Sequence, residues 1–240
     1  MTGTVINIIT ILVGGGLGLL FGARIPERLK QAVVAGMGLF TAAMGLQMFL
    51  KTNNPLIVLG SLLIGILIGE WSGIEERLQS LGLTLEKRFG GGGTEALEGG
   101  HNSRFVRGFL ISSLLFCIGP MTILGSISDG LRGDYDLLAI KSVLDGFASL
   151  AFASTLGVGV LFSSLVVLGY QGGISLLAAQ LSAVLSDPMV AEMTATGGVI
   201  LLGLAVSNML EVKQLRVGNF LPALAVAPFV VWVLTQLKVL

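Results

Sequence analysis

The chain has 240 residues, of which 53% are hydrophobic and only 12% are charged, and its formal net charge is zero. Soluble domains carry about 25% charged residues, so this composition indicates an integral membrane protein and excludes an ordinary soluble domain. A neutral chain lacks the basic surface that nucleic acids require, so no nucleic-acid partner is expected. One cysteine, Cys117, and one histidine, His101, exclude an intramolecular disulfide and leave too few ligands for a zinc site.

Eight apolar segments are candidates for membrane spans when they are compared with the roughly 20 residues that a transmembrane helix needs. They cover residues 4–22, 31–50, 55–71, 105–127, 137–169, 174–185, 196–210 and 217–237. The fifth segment is long enough to be tilted or broken, and the sixth is short, which favours a partial or re-entrant helix. The sequence therefore predicts an all-α polytopic membrane protein, a helical bundle of about eight spans.

The distribution of lysine and arginine predicts the orientation of these spans. Basic residues follow segments one, three and seven, whereas the loop at residues 129–136 holds three aspartates and one arginine. We expect the basic loops in the cytoplasm and both termini outside. Residues 72–104 form the longest cytoplasmic linker, in which an amphipathic helix over 74–89 precedes a glycine-rich stretch. Its apolar face is predicted to contain Ile74, Leu78, Leu81 and Leu85.

The sequence also contains the signs of an internal repeat. Gly45-Leu46 matches Gly203-Leu204, and Gly60 and Leu63 match Gly218 and Leu221 at the same offset. The charge rule places the loop of the first copy outside and that of the second inside, so the copies run in opposite senses. We divide the single membrane domain, residues 1–240, into a first repeat at 1–71, central spans at 105–170 and a second, inverted repeat at 171–240. Inverted repeats are typical of secondary transporters, whose solute site lies where the repeats meet.

Lys141 and Asp145 stand four residues apart inside the fifth segment, on one helix face. A charge in hydrocarbon costs roughly 3 kcal/mol or more, so such residues usually face a partner or a water-filled path. The two side chains can neutralise each other as a static pair that locks the helix to a neighbour. They can also form a counter-ion or proton site that opens when a solute competes for one member. Gly146 lets a neighbouring helix or a solute approach this point.

The fourth segment contains a second irregular feature, the sequence CIGPMT at residues 117–122. Pro120 lacks a backbone donor, so we expect the helix to break near Gly119 and Pro120 and to free carbonyls and amides that can bind ions. Thr122, Ser126 and Asp129 extend a polar lining from this break. The alternative is a kink whose free groups are satisfied by a neighbouring helix. We therefore predict broken helices in both the fourth and the fifth segment.

Four further polar residues are secondary candidates. Glu70, beside Trp71, is either an interfacial charge with its aromatic anchor or a gate and proton acceptor at the inner mouth. Asn7, Asn208 and Asn219 lie near span ends, where each can cap a helix, bridge two helices or line a path. Glycines that recur every four residues predict helix-packing faces in two spans. They are Gly14, Gly18 and Gly22 in the first span and Gly65, Gly69 and Gly73 in and after the third.

The motifs together resemble those of the YqgA/YdfK-like bacterial membrane proteins, a family labelled as a domain of unknown function. The resemblance rests on TGT at residues 2–4 with Asn7, IGE at 68–70, CIGPMTILGSI at 117–127, DG at 129–130, KSVLDG at 141–146 and GNFLPAL at 218–224. It covers nearly the whole chain and implies a multi-pass protein of the bacterial inner membrane. It implies no substrate and no mechanism.

These observations predict a secondary transporter that moves a small ion or polar solute past Lys141 and Asp145, coupled to a proton or Na⁺ and without any other cofactor. Two alternatives stay open, an ion channel and a non-transporting membrane scaffold. No nucleophile, base and orienting group occur together, so an enzyme is not expected. The predicted partners are the solute and the lipid bilayer, and a homodimer is compatible with the glycine faces.

Overall fold

The computed structural model describes residues 1–22, 26–89 and 104–237, which form eleven α-helices and contain no strand. The glycine-rich stretch after residue 89, His101 and the basic residue Arg24 lie outside the described residues. The helices are α1 (Thr2–Gly22), α2 (Glu27–Phe49), α3 (Pro55–Ser72), α4 (Ile74–Phe89), α5 (Arg104–Cys117), α6 (Pro120–Arg132), α7 (Asp136–Leu156), α8 (Gly159–Leu176), α9 (Ala178–Val184), α10 (Asp187–Leu204) and α11 (Ala223–Gln236). A π-helical turn, Ala205–Met209, continues α10, and a 3₁₀ turn, Val217–Phe220, precedes α11.

Seven helices of the described part are long and apolar enough to cross a membrane, and α5 with α6 forms an eighth span if this bent pair crosses once. The two halves of the pair meet at an angle of 63°. The predicted fold class is thus confirmed, because the chain is an all-α polytopic membrane protein.

The span boundaries differ from the prediction in the second half of the chain. The fifth predicted segment is broken, as predicted, but the break divides it into two antiparallel helices that are each long enough to span. Helix α7 ends at Leu156 and is capped by Gly157, whose φ of +85° turns the backbone, and α8 begins at Gly159. The sixth predicted segment is not a separate span, since it divides between the end of α8 and the seven-residue helix α9. Both differences have one cause: the turn at Gly157 is flanked by apolar residues, so no polar loop marks it in the sequence.

The chain divides into two compact units, one formed by Met1–Gly36 and Leu78–Leu181 and one by Met37–Arg77 and Ser182–Leu240. In the first unit, α1 packs along α7. A Cβ on Gly14, Gly18 or Gly22 would collide with the backbone of Gly146, Leu150 or Ser154 respectively. The positions advance in equal steps of four, so the two helices are parallel, and the predicted packing role of this glycine stripe is confirmed.

The parallel arrangement of α1 and α7 bears on the number of crossings. Two parallel spans must begin on the same side of a membrane, so an even number of crossings separates their starts. The spans between those starts are α1, α2, α3 and the bent pair α5–α6. If the first three each cross, the bent pair counts as one further crossing, which agrees with the upper count of eight spans for the described residues.

Helix α8 runs antiparallel to α1 in the same unit. Gly15 of α1 faces Leu161 near the start of α8, and Gly172 near the end of α8 faces Thr4. Helix α4 has the predicted bounds and packs Leu78 and Leu85, with Leu83, on the buried face of α5 around Phe109. Leu81, predicted on the same face, is instead 45% exposed.

The second unit is also built from antiparallel helices that meet through glycine. Gly45 of α2 and Gly198 of α10 face each other, and a Cβ on Gly45 would lie 2.6 Å from the carbonyl oxygen of Gly198. Gly65 of α3 packs on Ala223, and Gly69 packs on Asn219 at the entry to α11. Gly73 does not share this packing role, because its φ of +61° makes it the left-handed cap that ends α3.

Candidate functional site

Lys141 and Asp145 lie in the first half of α7 and form a direct ion pair between Nζ and Oδ2. Their i, i+4 spacing places them one above the other on the helix surface. Both residues are buried, with 6% and 8% of their surface exposed. The pair is thus withdrawn from solvent, where an unpaired charge would be costly, and its formal net charge is zero.

Two amide side chains extend the pair into a network across three helices. Asn7 of α1 donates from Nδ2 to Asp145 Oδ2, at 2.9 Å, and to Gln171 Oε1 on α8, at 3.0 Å. Gln171 in turn donates from Nε2 to Thr4 Oγ1, at 3.4 Å. Asn7, Gln171 and Thr4 are completely buried. A carboxylate only accepts hydrogen bonds, so it fixes the orientation of the Asn7 amide. Among the described residues, Asn7 Oδ1 has no hydrogen-bond partner.

The glycine contact between α1 and α7 explains why these groups meet. Gly146 follows Asp145 directly and faces Thr10 and Gly14 of α1, so the two backbones approach closely beside the carboxylate. One turn further along α7, Ser149 donates a 2.8 Å hydrogen bond to the carbonyl of Ile11. Small residues and interhelical hydrogen bonds are what hold helices together in lipid. The packing therefore positions Asn7 against Asp145.

The polar groups continue from Thr4 toward the start of α1. The backbone amide of Gly3 donates to Asp129 Oδ2 near the end of α6, at 3.1 Å, and the amino nitrogen of Met1 lies 3.1 Å from Asp129 Oδ1. Ser126 of α6 and Ser175 of α8 are buried close to this region, and in the described part of the chain their hydroxyls have no hydrogen-bond partner. A polar chain thus leads from Asp129 to Asp145 through α1 and α8.

An apolar cluster lies on the other side of the pair. It is formed by Ile11, Phe116, Cys117 and Val167, with Ile8, Ala148 and Tyr170 packed against it. Ile11 follows Asn7 by one turn of α1, and Val167 precedes Gln171 by one turn of α8. Beyond the pair this chain of hydrogen bonds meets the apolar cluster, where the buried Ser149 and Ser163 are each bonded to a backbone carbonyl.

The break between α5 and α6 lies beside this apolar cluster. Cys117, the last residue of α5, belongs to the cluster, and the carbonyl of Phe116 accepts a 3.2 Å hydrogen bond from Thr122 Oγ1. One carbonyl freed by the break is thus satisfied locally. A Cβ on Gly119 would meet nothing within 4 Å, so the backbone there is open, and Pro120 is the first residue of α6. The Thr122 hydroxyl is directed to this carbonyl and not to the pair, and the Ser126 hydroxyl has no partner, so neither side chain belongs to the network around Asp145.

The remaining candidates belong to the second unit. Glu70 accepts from Asn219 Nδ2 at 2.9 Å and from Arg216 at 3.1 Å, and 44% of its side chain is exposed. Asn219 is buried, and its Oδ1 accepts from the backbone amide of Glu75 at 2.7 Å. Asn208 lies in the π-helical turn that ends α10. Glu70 and Asn219 thus tie the end of α3 to the entry of α11.

Sequence reasoning missed three buried polar residues. Gln171 and Thr4 belong to the network around Asp145. Thr4 is the first residue of the first predicted span, whereas Gln171 falls between the fifth and sixth predicted spans and so lies in a predicted loop. Glu192 of α10 is 2% exposed and accepts hydrogen bonds from Thr52 Oγ1 at 2.6 Å and from the amide of Asn53 at 2.8 Å. It was missed because the seventh predicted span begins after it. Among the described residues, no group of three or more His, Cys, Asp or Glu side chains is arranged to hold a metal ion.

Comparison with known proteins places the chain in a family. It is 30% identical over 238 residues to the uncharacterized membrane protein YdfK of Bacillus subtilis, covering 98% of this chain and 97% of that protein. It is 32% identical over 226 residues to the uncharacterized protein YqgA of Escherichia coli, covering 94% of each. No solved structure matches. Residues 2–232 match the family described as "Protein of unknown function (DUF554)", so the chain belongs to this family of membrane proteins.

Proposed function

We propose that this protein is a secondary transporter of a small ion or polar solute in the bacterial cytoplasmic membrane. The observation that carries the proposal is the buried Lys141–Asp145 pair with Asn7 and Gln171 bonded around it. Ionisable residues inside membrane spans cost several kcal/mol and usually mark an ion or solute pathway. The bundle needs no such pair in order to pack, because the glycine faces already join α1 and α7.

The directions of the helices support the inverted repeat that this function would use. Three helix pairs are antiparallel at contacts that lie within one unit, namely α1 with α8, the part of α2 after Gly36 with α10, and α3 with α11. These pairs follow the same order in both halves of the sequence. At the offset that relates Gly45 to Gly203, Gly14 and Gly15 correspond to Gly172 and Gly173. The network joins α1 to α8, which is where the solute site of an inverted-repeat transporter is expected.

The apolar cluster favours a transporter over a channel. A channel needs a continuous polar path, whereas the polar chain from Asp129 ends at Asp145 and is followed by Ile11, Phe116 and Val167. A carrier closes one side of its site at a time, and a packed apolar layer on one side is the arrangement expected of a closed gate. The Gly119–Pro120 break borders this layer and would give α5 and α6 a joint for opening it.

The proposal also specifies the partners, the coupling ion, the orientation in the membrane and the oligomeric state. The bilayer is the main partner, the coupling ion is a proton or Na⁺, and no enzymatic step is involved. The basic loops would face the cytoplasm and both termini the outside, in accordance with the lysine and arginine bias. Gly36 is exposed and Gly60 is half-buried, and a Cβ on either would meet nothing within 4 Å among the described residues, which leaves room for a homodimer.

The proposal is tested by measuring the thermal stability of the purified protein in detergent with a panel of cations, anions and small organic acids at two pH values. A ligand that binds only the folded state raises the unfolding temperature. We expect a solute-specific rise that is lost in Asp145→Asn. Ser142→Ala is the matched control, because this buried neighbour bonds only to Leu138 of its own helix and should keep the rise.

A scaffold protein would behave differently in a second variant. Replacing both members of a buried ion pair by apolar residues often leaves stability intact. The double variant Lys141→Met with Asp145→Leu should therefore fold, and under the transport proposal it should neither bind nor carry the solute. A double variant that still supports solute flux in liposomes would contradict the assigned site.

A further inference from the structure

We infer that two serines, Ser126 of α6 and Ser175 of α8, line the route by which the solute reaches the buried ion pair of α7 from the side of Asp129. The inference rests on the proposed transport function and names the side of entry, which is the outer side in the proposed orientation. It starts from two hydroxyls that have no hydrogen-bond partner in the described part of the chain, although only 0% and 4% of the two residues are exposed. Buried polar groups normally have a partner, so this exception needs a reason.

Serines in the neighbouring helices show that these hydroxyls need not be unpaired. A serine within an α-helix can donate to a carbonyl three or four residues earlier in the same helix. Ser142 of α7 and Ser163 of α8 both do so. Ser126 and Ser175 are in the same kind of helix, yet neither makes such a bond within the described ranges. Their hydroxyls are therefore not turned back onto their own backbone, and their burial places them between helices.

The packing of the bent pair α5–α6 along α8 places both hydroxyls near the network around Asp145. A Cβ on Gly159, the first residue of α8, would collide with the backbone at the start of α5, and a Cβ on Gly130 of α6 would collide with the carbonyl of Ser175. The bent pair and α8 thus run in the same direction. One helical turn before these last two residues are Ser126 and Gln171, so we place Ser126 near the level of Gln171.

The two serines fill the interval between the network and Asp129. Gln171 belongs to the network through its bond to Asn7. At the other end of the interval, Asp129 follows Ser126 by three residues on the same face of α6 and accepts from the backbone amide of Gly3. A hydroxyl both donates and accepts hydrogen bonds. Such a lining can solvate a polar solute of either charge, so it leaves selection of the solute to the ion pair.

The route is closed in the structure, and α6 is the helix whose movement would open it. Gly130 brings α6 against α8 and so covers both hydroxyls. Near its end α6 is held by the bond between Asp129 and the Gly3 amide. Its start is the Gly119–Pro120 break, where the pair bends by 63° and a Cβ on Gly119 would meet nothing within 4 Å. The end of a helix is a usual place for a hinge. Opening lets the hydroxyls gain hydrogen bonds to water or solute, which offsets part of the cost of separating the helices.

The test measures how fast single cysteines in the full chain react with membrane-impermeant methanethiosulfonates, one cationic and one anionic. Cys117, the one cysteine of the chain, is replaced by alanine, and Ser126→Cys or Ser175→Cys is added. The reagent is applied to either side of membrane vesicles, and the exposed Asp134→Cys reports which side it reaches. We expect both serine positions to react from the side that labels Asp134→Cys. From the other side they should react about tenfold more slowly or less, because the reaction requires opening toward the reagent.

Ser112→Cys is the matched control. Ser112 of α5 is completely buried, and its hydroxyl also has no partner among the residues described, but it precedes Phe116 by one turn and so lies beyond the apolar cluster. It should not react from the side that labels Asp134→Cys. Equal reactivity of Ser112→Cys and the two route positions from that side would overturn the inference. A complete lack of reaction at both route positions, with Asp134→Cys fully labelled, would overturn it as well.

A second measurement separates lining from packing. The double variant Ser126→Ala with Ser175→Ala loses two unpartnered hydroxyls, so it should unfold at the temperature of the wild type or above it. Its solute-dependent current in liposomes should fall by about threefold or more, the effect of one lost hydrogen bond to the solute. An unchanged current would show that the serines only fill space and would overturn the inference. A wild type without any solute response would count against the transport proposal and this inference together, whereas unreactive route positions beside a normal solute response would count against the route alone.

Discussion

The close contact between α1 and α7 makes a quantitative prediction at Gly14. A Cβ at this position would lie 2.9 Å from the carbonyl carbon of Gly146 and closer still to its oxygen, and both are backbone atoms that no rotamer change can move. Ordinary contacts begin near 3.4 Å, and the closer contact with the oxygen sets the displacement, so Gly14→Ala must separate the helices locally by about 1 Å. Overpacking of this kind typically costs about 1–3 kcal/mol. The same displacement should lengthen the 2.9 Å hydrogen bond from Asn7 to Asp145 and reduce solute binding.

Gly16 supplies a matched control on the same helix, because a Cβ there would meet nothing within 4 Å. Gly16→Ala should change the free energy of unfolding by less than about 1 kcal/mol, and in the stabilising direction, since alanine is the better helix former. The assay is equilibrium unfolding of both variants in mixed detergent and SDS micelles, followed by helicity. Equal stability of the two variants would refute the parallel glycine contact and with it the placement of Asn7.

Three further changes test separate hydrogen bonds by the same unfolding assay. Glu192→Ala should lose about 2 kcal/mol, because the loop at residues 52–54 loses its charged acceptor, and an unchanged stability would show that water replaces it at no cost. Ser149→Ala should lose about 0.6 kcal/mol, the usual value for a hydrogen bond between membrane helices, and a loss above about 2 kcal/mol would mean that packing also changed. Thr122→Val should cost about 1 kcal/mol because the carbonyl of Phe116 loses its donor, and it should leave solute binding intact if the break serves only as a joint.

Hydrophobicity alone predicts most of the architecture. Apolar length identifies α1, α2, α3 and the last span, and the four-residue glycine spacing identifies the contacts that hold α1 to α7 and α3 to the entry of α11. The turn at Gly157 could not be predicted in this way. It joins two apolar helices with no charged residue between Asp145 and Asp187, and only the backbone geometry of a glycine with positive φ distinguishes it from a continuous span.

The charged residues of the site could be predicted from the sequence, because placing a charge in an apolar span is costly. The amide residues could not, because their roles depend on contacts between residues that are far apart in the chain. Lys141 and Asp145 stand out because both are ionisable in an apolar span and belong to one helix face. Gln171 is 164 residues from Asn7 in the chain, and only the antiparallel packing of α1 and α8 brings them together. The sequence predicts Asn7 as a secondary residue near a helix end, whereas its bonds join Asp145 to Gln171.

Transport currents recorded from liposomes that contain the purified protein test the central claim most directly. The membranes are adsorbed on a solid support, and the solution outside is switched between choline and Na⁺, between two pH values, and among the organic solutes of the panel. We expect a solute-dependent current with the wild type that disappears in Asp145→Asn and persists in Ser142→Ala, with equal amounts of inserted protein. A current of the same size in Asp145→Asn would contradict the claim that the solute passes the Lys141–Asp145 pair.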